Sequence, residues 1–253
     1  MTIVSPVVIL GARSDIGRAL ARGYAARGAR VILAGRGDLA GDVRDLELRC
    51  AGAAVRAMPF DVTDDGADAF FAAIGEKPGT VIMVAGLLGD QAQSSADDAA
   101  AALVMATNFN GPARYLLGAA RAMAGAAEGA GGAGGADGCI IGISSVAGDR
   151  GRASNFVYGA AKAGFTAFLS GLRNAHAKAG LHVMTVKPGF VATAMTQDMK
   201  LNPALTAQPD EVAAAIIKAH LAGKNILYVR SIWWLIMTII KAIPEPIFKK
   251  LSL

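Results

Sequence analysis

The sequence feature that most restricts the fold is a short apolar run that leads directly into a glycine-rich turn and then into a helical pattern. The run from Val7 to Leu10 contains no polar residue, which is typical of a strand buried on both faces of a parallel sheet. The segment from Gly11 to Gly17 follows at once, and residues 18–25 have a helical pattern. This order of strand, turn and helix directs backbone N–H groups at a phosphate, although such a turn also occurs for purely structural reasons.

Similar apolar runs recur along the chain and are separated by longer segments with helical character. They lie at residues 30–36, 53–60, 80–84, 139–143, 181–186 and 225–229. Strands that alternate with helices pair in parallel and carry the helices on both faces of the sheet. A length of 253 residues is sufficient for one such domain with a complete core. We therefore predict a single-domain α/β fold with a doubly wound, seven-stranded parallel sheet.

The first turn and the second strand predict the kind of dinucleotide that binds. Gly11 permits a tight turn, and Gly17 permits a close approach of helix and strand. An acidic residue near the end of the second strand would bind the ribose 2′-hydroxyl of NAD, but this chain has Gly35 and Arg36 there. The cation favours the 2′-phosphate of NADP(H), and Arg13 adds a second positive charge. The alternative is that Arg36 is only a solvated residue at the end of a strand.

A hydroxyl group, a phenol and an ammonium group are spaced so that they can meet. Tyr158 and Lys162 are four residues apart, which places them on one face of a helix. Ser145 follows an apolar run that leads toward this helix. Together the three groups form a proton-transfer site, with the phenol as acid or base. The alternative is a buried tyrosine packed beside a surface lysine, which is common for an isolated Tyr-x-x-x-Lys.

Two further polar residues have more than one interpretation. Asn108 lies in an Asn-Phe-Asn-Gly stretch within a predicted helix over 97–124, where such residues are unfavourable and often mark a kink or a functional position. Asp61 closes the third strand. It can accept a hydrogen bond from the adenine amino group, or it can cap a helix that begins near Asp64.

Charge and composition argue against several functional classes. The net charge of +5 comes without a basic run interleaved with aromatic residues in the body of the chain, so we expect no nucleic-acid partner. We expect no metal site because the three histidines, at 176, 182 and 220, lack the spacing of metal ligands. The Gly-x-Ser-x-Gly motif of hydrolases is absent. Two cysteines, Cys50 and Cys139, and a start that resembles a strand favour a cytoplasmic location.

Two segments are expected to lie outside the regular core. Residues 125–138 are almost entirely glycine and alanine, and we expect a mobile surface loop without a chemical role. Residues 194–208 follow the sixth strand and include Met195, Met199, Leu201 and Leu205. We expect this second segment to cover the substrate site, and the alternative is a loop without influence on specificity.

In this order and spacing, the glycine-rich turn, Asn108, Ser145 and Tyr158-x-x-x-Lys162 resemble the short-chain dehydrogenase/reductase family from about residue 5 to residue 230. The resemblance implies a Rossmann fold and an Asn-Ser-Tyr-Lys tetrad. Tyr158 would be the general acid in reduction. Lys162 would hold the nicotinamide ribose and lower the pKa of Tyr158, and Ser145 would bind the substrate oxygen. Asn108 would help to hold a water molecule that connects Lys162 to solvent.

The resemblance also implies a set of contacts to NADP(H). These residues are Gly11, Arg13, Ser14, Ile16, Gly17, Arg36, Asp61, Val62, Gly86, Tyr158, Lys162, Pro188, Gly189, Val191 and Thr193. Among them, the segment from Pro188 to Thr193 would touch the nicotinamide. The chain departs from the family pattern in two places: Asp15 replaces the middle glycine of the turn, and residues 83–86 lack the usual asparagine. The second departure leaves the hydrogen bonding after the fourth strand in question.

A narrower resemblance concerns the substrate. Residues 86–90, 145–150, 155–159 and 243–251 are similar to the decaprenylphosphoryl-2-keto-ribose reductase group. This implies reduction of the 2-keto sugar of a polyprenyl-phosphate pentose. One alternative is a soluble reductase of a 3-oxoacyl thioester or a small ketone. The other is a non-catalytic sensor or scaffold that binds the cofactor.

The last part of the chain differs from the rest, so we divide the chain into a catalytic domain over 1–230 and a C-terminal segment over 231–253. Residues 231–240 are strongly apolar but span only about half the length needed to cross a bilayer. Between residues 230 and 253, four cations stand against one acid, Glu245. Paired tryptophans and basic residues predict contact with the inner face of a membrane. The alternatives are a cover over the cleft or a subunit contact in a homo-oligomer, either a dimer or a tetramer.

Overall fold

The computed structural model describes residues 1–50, 52–124 and 138–251, and its centre is a parallel sheet. The strands are β1 (Val7–Leu10), β2 (Val31–Gly35), β3 (Val55–Pro59), β4 (Thr80–Met83), β5 (Gly138–Ile143), β6 (Leu181–Lys187), β7 (Phe190–Val191), β8 (Thr206–Ala207) and β9 (Ile226–Tyr228). Seven of them form the central sheet in the order β3-β2-β1-β4-β5-β6-β9. Every pairing in this sheet is parallel, which confirms the predicted seven-stranded architecture.

Helices cover both faces of this sheet. They are α1 (Asp15–Ala25), α2 (Ala40–Arg49), α3 (Ala67–Ala73), α4 (Gln91–Ala96), α5 (Asp98–Met105), α6 (Gly111–Ala124), α7 (Phe156–His176), α8 (Pro209–Leu221), α9 (Ile232–Ala242) and α10 (Glu245–Phe248). Side chains alternate along each strand, so β1 contributes Val7 and Ile9 to the core beneath α1 and α8. Its Val8 and Leu10 belong to the opposite core, beneath α6 and α7. The sheet is thus buried on both faces, as its uniformly apolar strands require.

The topology determines where a ligand can bind. The chain moves outward from β1 to β2 and β3, and then returns to place β4 on the other side of β1. The strand order reverses at this point, which opens a crevice at the carboxyl ends of β1 and β4. The turn after β1 and the polar residues after β5 therefore open into the same crevice.

A small second sheet pairs β7 with β8 in parallel. The strand β7 precedes the segment over 194–208 that we expected to cover the substrate site, and β8 lies near the end of that segment, so their pairing holds its two ends together. The predicted glycine-rich loop over 125–138 lies outside the described residues, except that Gly138 begins β5. No helix within the described residues has both the length and the apolar character needed to cross a bilayer.

Candidate active site

A cleft of about 800 Å³ lies at the carboxyl ends of the central strands. Most of the predicted site residues line it: Gly11, Arg13, Ser14, Ile16, Arg36, Asp61, Val62, Gly86, Ser145, Tyr158, Lys162, Pro188, Gly189, Val191 and Thr193. Two predicted residues lie outside the lining. Gly17 lies inside α1, and Asn108 lies behind Gly86. The fold therefore brings residues from the whole length of the chain to one crevice.

The glycine-rich turn is held in a shape that suits an anion. Gly11 has a φ angle of +96°, and a Cβ atom there would lie only 2.7 Å from the backbone nitrogen of Ala85. Glycine is thus required at this position for both conformation and space. The Ser14 hydroxyl accepts a hydrogen bond of 3.0 Å from the Gly17 N–H and caps α1. The other N–H groups of the first turn have no partner within the helix, and they can bind a phosphate.

Two arginines and one carboxylate meet at the end of β2. Arg13 donates a hydrogen bond of 3.1 Å to the carbonyl of Arg36, whose own side chain is 81% exposed. The Arg36 guanidinium lies 3.7 Å from the Asp61 carboxylate. Hydrogen bonds from the backbone and hydroxyl of Thr63 lower the pKa of Asp61, and Arg36 contributes to this effect. The helix-cap interpretation of Asp61 is wrong, because α3 begins only at Ala67.

The strand β5 and the helix α7 bring together the predicted proton-transfer groups. The Ser144 hydroxyl donates a hydrogen bond of 3.0 Å to the Lys162 carbonyl, which fastens the end of β5 to α7. Ser145, the next residue, hydrogen-bonds to Tyr158. The Lys162 ammonium group donates a bond of 3.0 Å to the Ile143 carbonyl and lies 5.8 Å from the centre of the Tyr158 ring.

The electrostatics of this group differ from our expectation. Burial raises the pKa of Tyr158 to about 12, and the hydrogen bond from Ser145 opposes this shift only in part. Burial also lowers the pKa of Lys162 to about 8. We expected Lys162 to lower the phenol pKa, but no such effect is found. The reason is that burial disfavours the charged form of both groups, and the ammonium group is directed at a carbonyl.

Asn108 lies in an irregular part of the predicted helix over 97–124. The helix is divided into α5, one π-helical segment (Ala106–Asn110) and α6. Such segments occur frequently at functional sites. The buried Asn108 amide donates to the carbonyls of Leu87 and Val104, and its oxygen accepts from the Leu87 N–H. It therefore stabilises the backbone after β4, where the asparagine usual in the family is missing.

The predicted nicotinamide segment rests against the C-terminal helix. A Cβ atom at Gly189 would collide with the Trp233 indole, so the two residues are in close contact. The indole N–H donates a hydrogen bond of 3.2 Å to the Leu205 carbonyl, and the ring packs edge-on against Phe190. In the sequence, Trp233 is recognisable only as part of the apolar C-terminal segment. Its position behind the cleft wall depends on tertiary packing and has no local signal.

Asp15 has a contact that its place in the motif does not indicate. Its carboxylate accepts a hydrogen bond of 2.9 Å from the backbone N–H of Ala194. The residue that replaces the middle glycine thus connects the cofactor turn to the start of the segment over 194–208. In that segment, Met195 and Met199 line the cleft, whereas Leu205 packs with Trp233 in a separate small core.

Asn155 lies in the stretch 155–159 of the narrower resemblance but was not among the predicted site residues. It lines the cleft three residues before Tyr158. It precedes α7, but its side chain makes no capping hydrogen bond. Its amide oxygen is buried and has no partner among the described residues. Buried polar atoms in proteins are normally hydrogen-bonded, so an unpaired oxygen on a cleft residue stands out.

The residues fit a nicotinamide dinucleotide. The turn at Gly11 and the start of α1 can hold a pyrophosphate, while Arg13 and Arg36 supply positive charge at the end of β2. A Cβ atom at Gly86 would lie 3.1 Å from the Asn108 amide oxygen and 3.5 Å from the Lys162 ammonium group, so glycine keeps this wall open. Across residues 1–50, 52–124 and 138–251, no three His, Cys, Asp or Glu side chains cluster closely enough to hold a metal ion.

Known proteins agree with this geometry. The family model for short chain dehydrogenases matches residues 5–204. An uncharacterized oxidoreductase of Mycobacterium tuberculosis is 38% identical over 233 residues, which cover 90% of this chain and 89% of that protein. An uncharacterized oxidoreductase of Streptomyces coelicolor is 36% identical over 253 residues, covering 97% and 95% of the two chains.

A solved structure shows the same fold. A short chain dehydrogenase of Burkholderia cenocepacia in complex with NADP superimposes with a TM-score of 0.79 at 21% identity, and the match covers 100% of both chains. The family model, the two full-length relatives and the lining of the cleft are therefore consistent with one another. The chain belongs to the short-chain dehydrogenase family of oxidoreductases.

Proposed function

We propose that the protein catalyses the NADPH-dependent reduction of a ketone to a secondary alcohol. The observation that carries this proposal is the meeting of Ser145, Tyr158 and Lys162 in a cleft whose other end holds Arg13 and Arg36. NADPH supplies the hydride when it is bound. The chain supplies the proton and the binding groups, and it shields the reacting carbonyl from water.

Each protein group has a distinct part in this reaction. The Ser145 hydroxyl hydrogen-bonds the substrate oxygen and orients it toward Tyr158. The phenol keeps its proton at neutral pH because burial raises its pKa, which suits a general acid. As the carbonyl oxygen gains negative charge, Tyr158 donates this proton. Lys162 places positive charge behind the phenol, and general acid catalysis of this kind typically contributes about 10²–10⁴-fold.

The choice of NADPH depends on Arg36. A 2′-phosphate would gain a charged hydrogen-bonding partner there, which typically contributes about 1.5–3 kcal/mol. The Arg36→Ser variant should raise the KM for NADPH roughly 10- to 100-fold, and the KM for NADH should change little. Arg121→Ser is a matched control, because Arg121 forms a surface ion pair with Asp68 on α3, remote from the cleft. Equal affinity of the wild-type protein for NADH and NADPH would overturn the preference for NADPH.

For the substrate, we propose the 2-keto sugar of a polyprenyl-phosphate pentose. The unpartnered Asn155 oxygen supports a substrate with a hydroxyl group close to the ketone, which a plain ketone or thioester lacks. Apolar residues at the rim of the cleft, Leu103, Met195 and Met199, support an attached hydrocarbon chain. A 3-oxoacyl thioester would explain the apolar rim of the cleft but would leave the unpartnered Asn155 oxygen without an explanation.

Asn155→Leu separates the two substrate classes. A site built to bind a hydroxyl group discriminates strongly against analogues without one. With α-hydroxy ketones, the variant should lose roughly 10-fold or more in kcat/KM, while simple ketones should be affected by less than about threefold. An equal loss with both substrate classes would contradict the sugar assignment and leave the reductase assignment intact. A complete absence of NADPH consumption with any ketone would instead favour the sensor or scaffold alternative.

A further inference from the structure

The helix α9 is apolar on nearly every side, yet only one of its faces is buried. Trp233 and Met237, one turn apart, pack into the small core with Val146, Phe190 and Leu205. Helices that are apolar all round are normally enclosed by protein or by lipid. The opposite face of α9 therefore needs an explanation.

Beyond this buried face, α9 presents four large apolar side chains to the surroundings, of which Ile232 is 42% exposed. Trp234 is 56% exposed, Leu235 is 48% exposed and Ile239 is 58% exposed. At 100° per residue, Ile232, Leu235 and Ile239 lie on the side of the helix away from Met237, and Trp234 lies on the adjoining flank. Contiguous exposed apolar surfaces of this kind mark interaction sites, whereas single exposed residues do not.

Basic residues accompany these apolar side chains. Lys241 lies in the last turn of α9, and Lys249 and Lys250 follow α10; all three are exposed. The one acid in residues 231–251, Glu245, is paired with Arg150 at 2.8 Å. Arg150 also donates hydrogen bonds to three carbonyls at the end of α9, so it fixes the position of the whole segment.

We propose that this C-terminal surface, formed by Trp234, Leu235, Ile239, Lys241, Lys249 and Lys250, docks on an anionic membrane with α9 lying in the plane of the interface. An 11-residue helix is too short to cross a bilayer. Its exposed apolar face with adjacent lysines matches the composition of helices that lie in the headgroup region. The cations complement anionic lipid, and each typically contributes noticeably to such binding.

The same charges argue against a second copy of this chain as the occupant. A two-fold contact brings the same patch of both molecules together. The three lysines of each copy would then be brought into one interface, while Glu245 is already held by Arg150. Like charges in proximity oppose this contact, whereas an anionic lipid surface attracts all of them.

Docking of α9 on a membrane would also affect the wall of the cleft, because α9 packs directly against that wall. The buried face of α9 carries Trp233, which contacts Gly189 and hydrogen-bonds to the Leu205 carbonyl. The lipid-facing side and the wall of the cleft are thus two sides of one helix. The docking proposal does not depend on the substrate proposed above, although a lipid-linked substrate would benefit from it.

Flotation with vesicles tests the proposal on the full-length protein. Wild-type protein should float with vesicles of equal parts phosphatidylglycerol and phosphatidylcholine and should bind weakly to phosphatidylcholine alone. The combined variant Trp234→Ser, Leu235→Ser and Ile239→Ser should lose most of this binding. Lys241→Gln, Lys249→Gln and Lys250→Gln together should reduce the partition coefficient on the order of tenfold or more, with the greatest effect at low salt.

The matched control replaces three exposed leucines on other helices, Leu48→Ser, Leu117→Ser and Leu221→Ser. This variant should bind vesicles like wild type. Failure of the wild-type protein to float, or equal binding by both serine variants, would overturn the proposal. Dissociation of a wild-type oligomer by the α9 serine variant, without any vesicle binding by wild type, would assign the surface to self-association instead. Reduction of a water-soluble ketone is measured in parallel, so loss of docking is distinguished from loss of the reductase function.

Discussion

Two buried lysines lie near tyrosine rings, Lys162 near Tyr158 in the cleft and Lys187 near Tyr228 outside its lining. Lys162 is 4% exposed and Lys187 is 7% exposed. Lys187 forms an ion pair of 2.5 Å with Asp149, and Tyr228 donates a hydrogen bond of 2.7 Å to the same carboxylate. No carboxylate among the described residues forms an ion pair with Lys162, which donates instead to a neutral carbonyl.

The presence or absence of a paired carboxylate distinguishes Lys187, a structural group, from Lys162, a reactive one. Burial without a counter-charge lowers the pKa of Lys162 to about 8, so the fold holds this charge at an energetic cost. Lys187 has full compensation, and the pKa of Tyr228 is raised by burial and by its bond to Asp149. Uncompensated buried charges are typical of functional sites, whereas compensated ones hold elements together. Asp149, Lys187 and Tyr228 connect the segment after Ser145 to β6 and β9.

The largest expected effect concerns the two phenols. Tyr158→Phe should lower turnover about 10²–10⁴-fold, because the proton donor is lost. Binding of NADPH should persist, as measured by fluorescence titration. Tyr228→Phe removes one hydrogen bond from the structural cluster, which is formed by Asp149, Lys187 and Tyr228. This variant should leave turnover within about threefold of wild type. Retention of more than a few per cent of turnover by Tyr158→Phe would remove the basis for calling this pair the reactive one.

The second effect concerns stability. Lys187→Met leaves the Asp149 carboxylate buried without its counter-charge, and we expect the free energy of unfolding to fall by about 3–5 kcal/mol. Urea denaturation followed by circular dichroism measures this change. Lys218→Met, at an exposed position on α8, is the control and should change stability by less than about 0.5 kcal/mol. If Lys187→Met lowers the free energy of unfolding by less than about 1 kcal/mol, the cluster does not have the structural role that we assign to it.

The sequence alone predicted the pair of Tyr158 and Lys162 but not the cluster around Lys187. The apolar runs predicted the sheet, and the local spacing of Tyr158 and Lys162 placed both on α7. In the sequence, Lys187 is only the residue between the apolar run over 181–186 and Pro188. Its pairing with Asp149 depends on how β6 meets the turn after β5. The contact between Asp15 and Ala194 likewise spans 179 residues, and no local pattern encodes it.

At neutral pH, Lys162→Met should raise the free energy of unfolding, whereas Lys187→Met should lower it. A pKa lowered to about 8, against an ordinary value of 10.5, means that the folded protein bears the full cost of the buried charge below pH 8. This cost is roughly 3 kcal/mol. The lost hydrogen bond to Ile143 offsets about 1 kcal/mol of the gain. The variant should therefore be more stable at pH 7 by roughly 2 kcal/mol, with turnover almost abolished.

The pH dependence provides the control for this stabilisation. Between pH 8 and pH 10.5, the folded wild-type protein releases the Lys162 proton while the unfolded chain still holds it. The cost of the buried charge disappears over this interval, so the advantage of Lys162→Met should shrink as the pH rises and should be gone near pH 10.5. Urea denaturation at pH 7 and pH 10 measures the difference. A constant advantage at both values would mean that the stabilisation comes from packing of the methionine rather than from the removed charge.

The smallest expected effect comes from replacing the whole structural cluster. Asp149→Leu, Lys187→Met and Tyr228→Phe together exchange a buried ion pair for apolar groups of similar size, and such replacements are often neutral or stabilising. We expect the free energy of unfolding to stay within about 1 kcal/mol of wild type, although Lys187→Met alone is expected to be severely destabilising. Turnover should remain within several-fold, because none of the three side chains is expected to touch the substrate. If the triple variant is stable but inactive, the cluster does more than hold β6 and β9 together, and its charges must act on the neighbouring Ser145 segment.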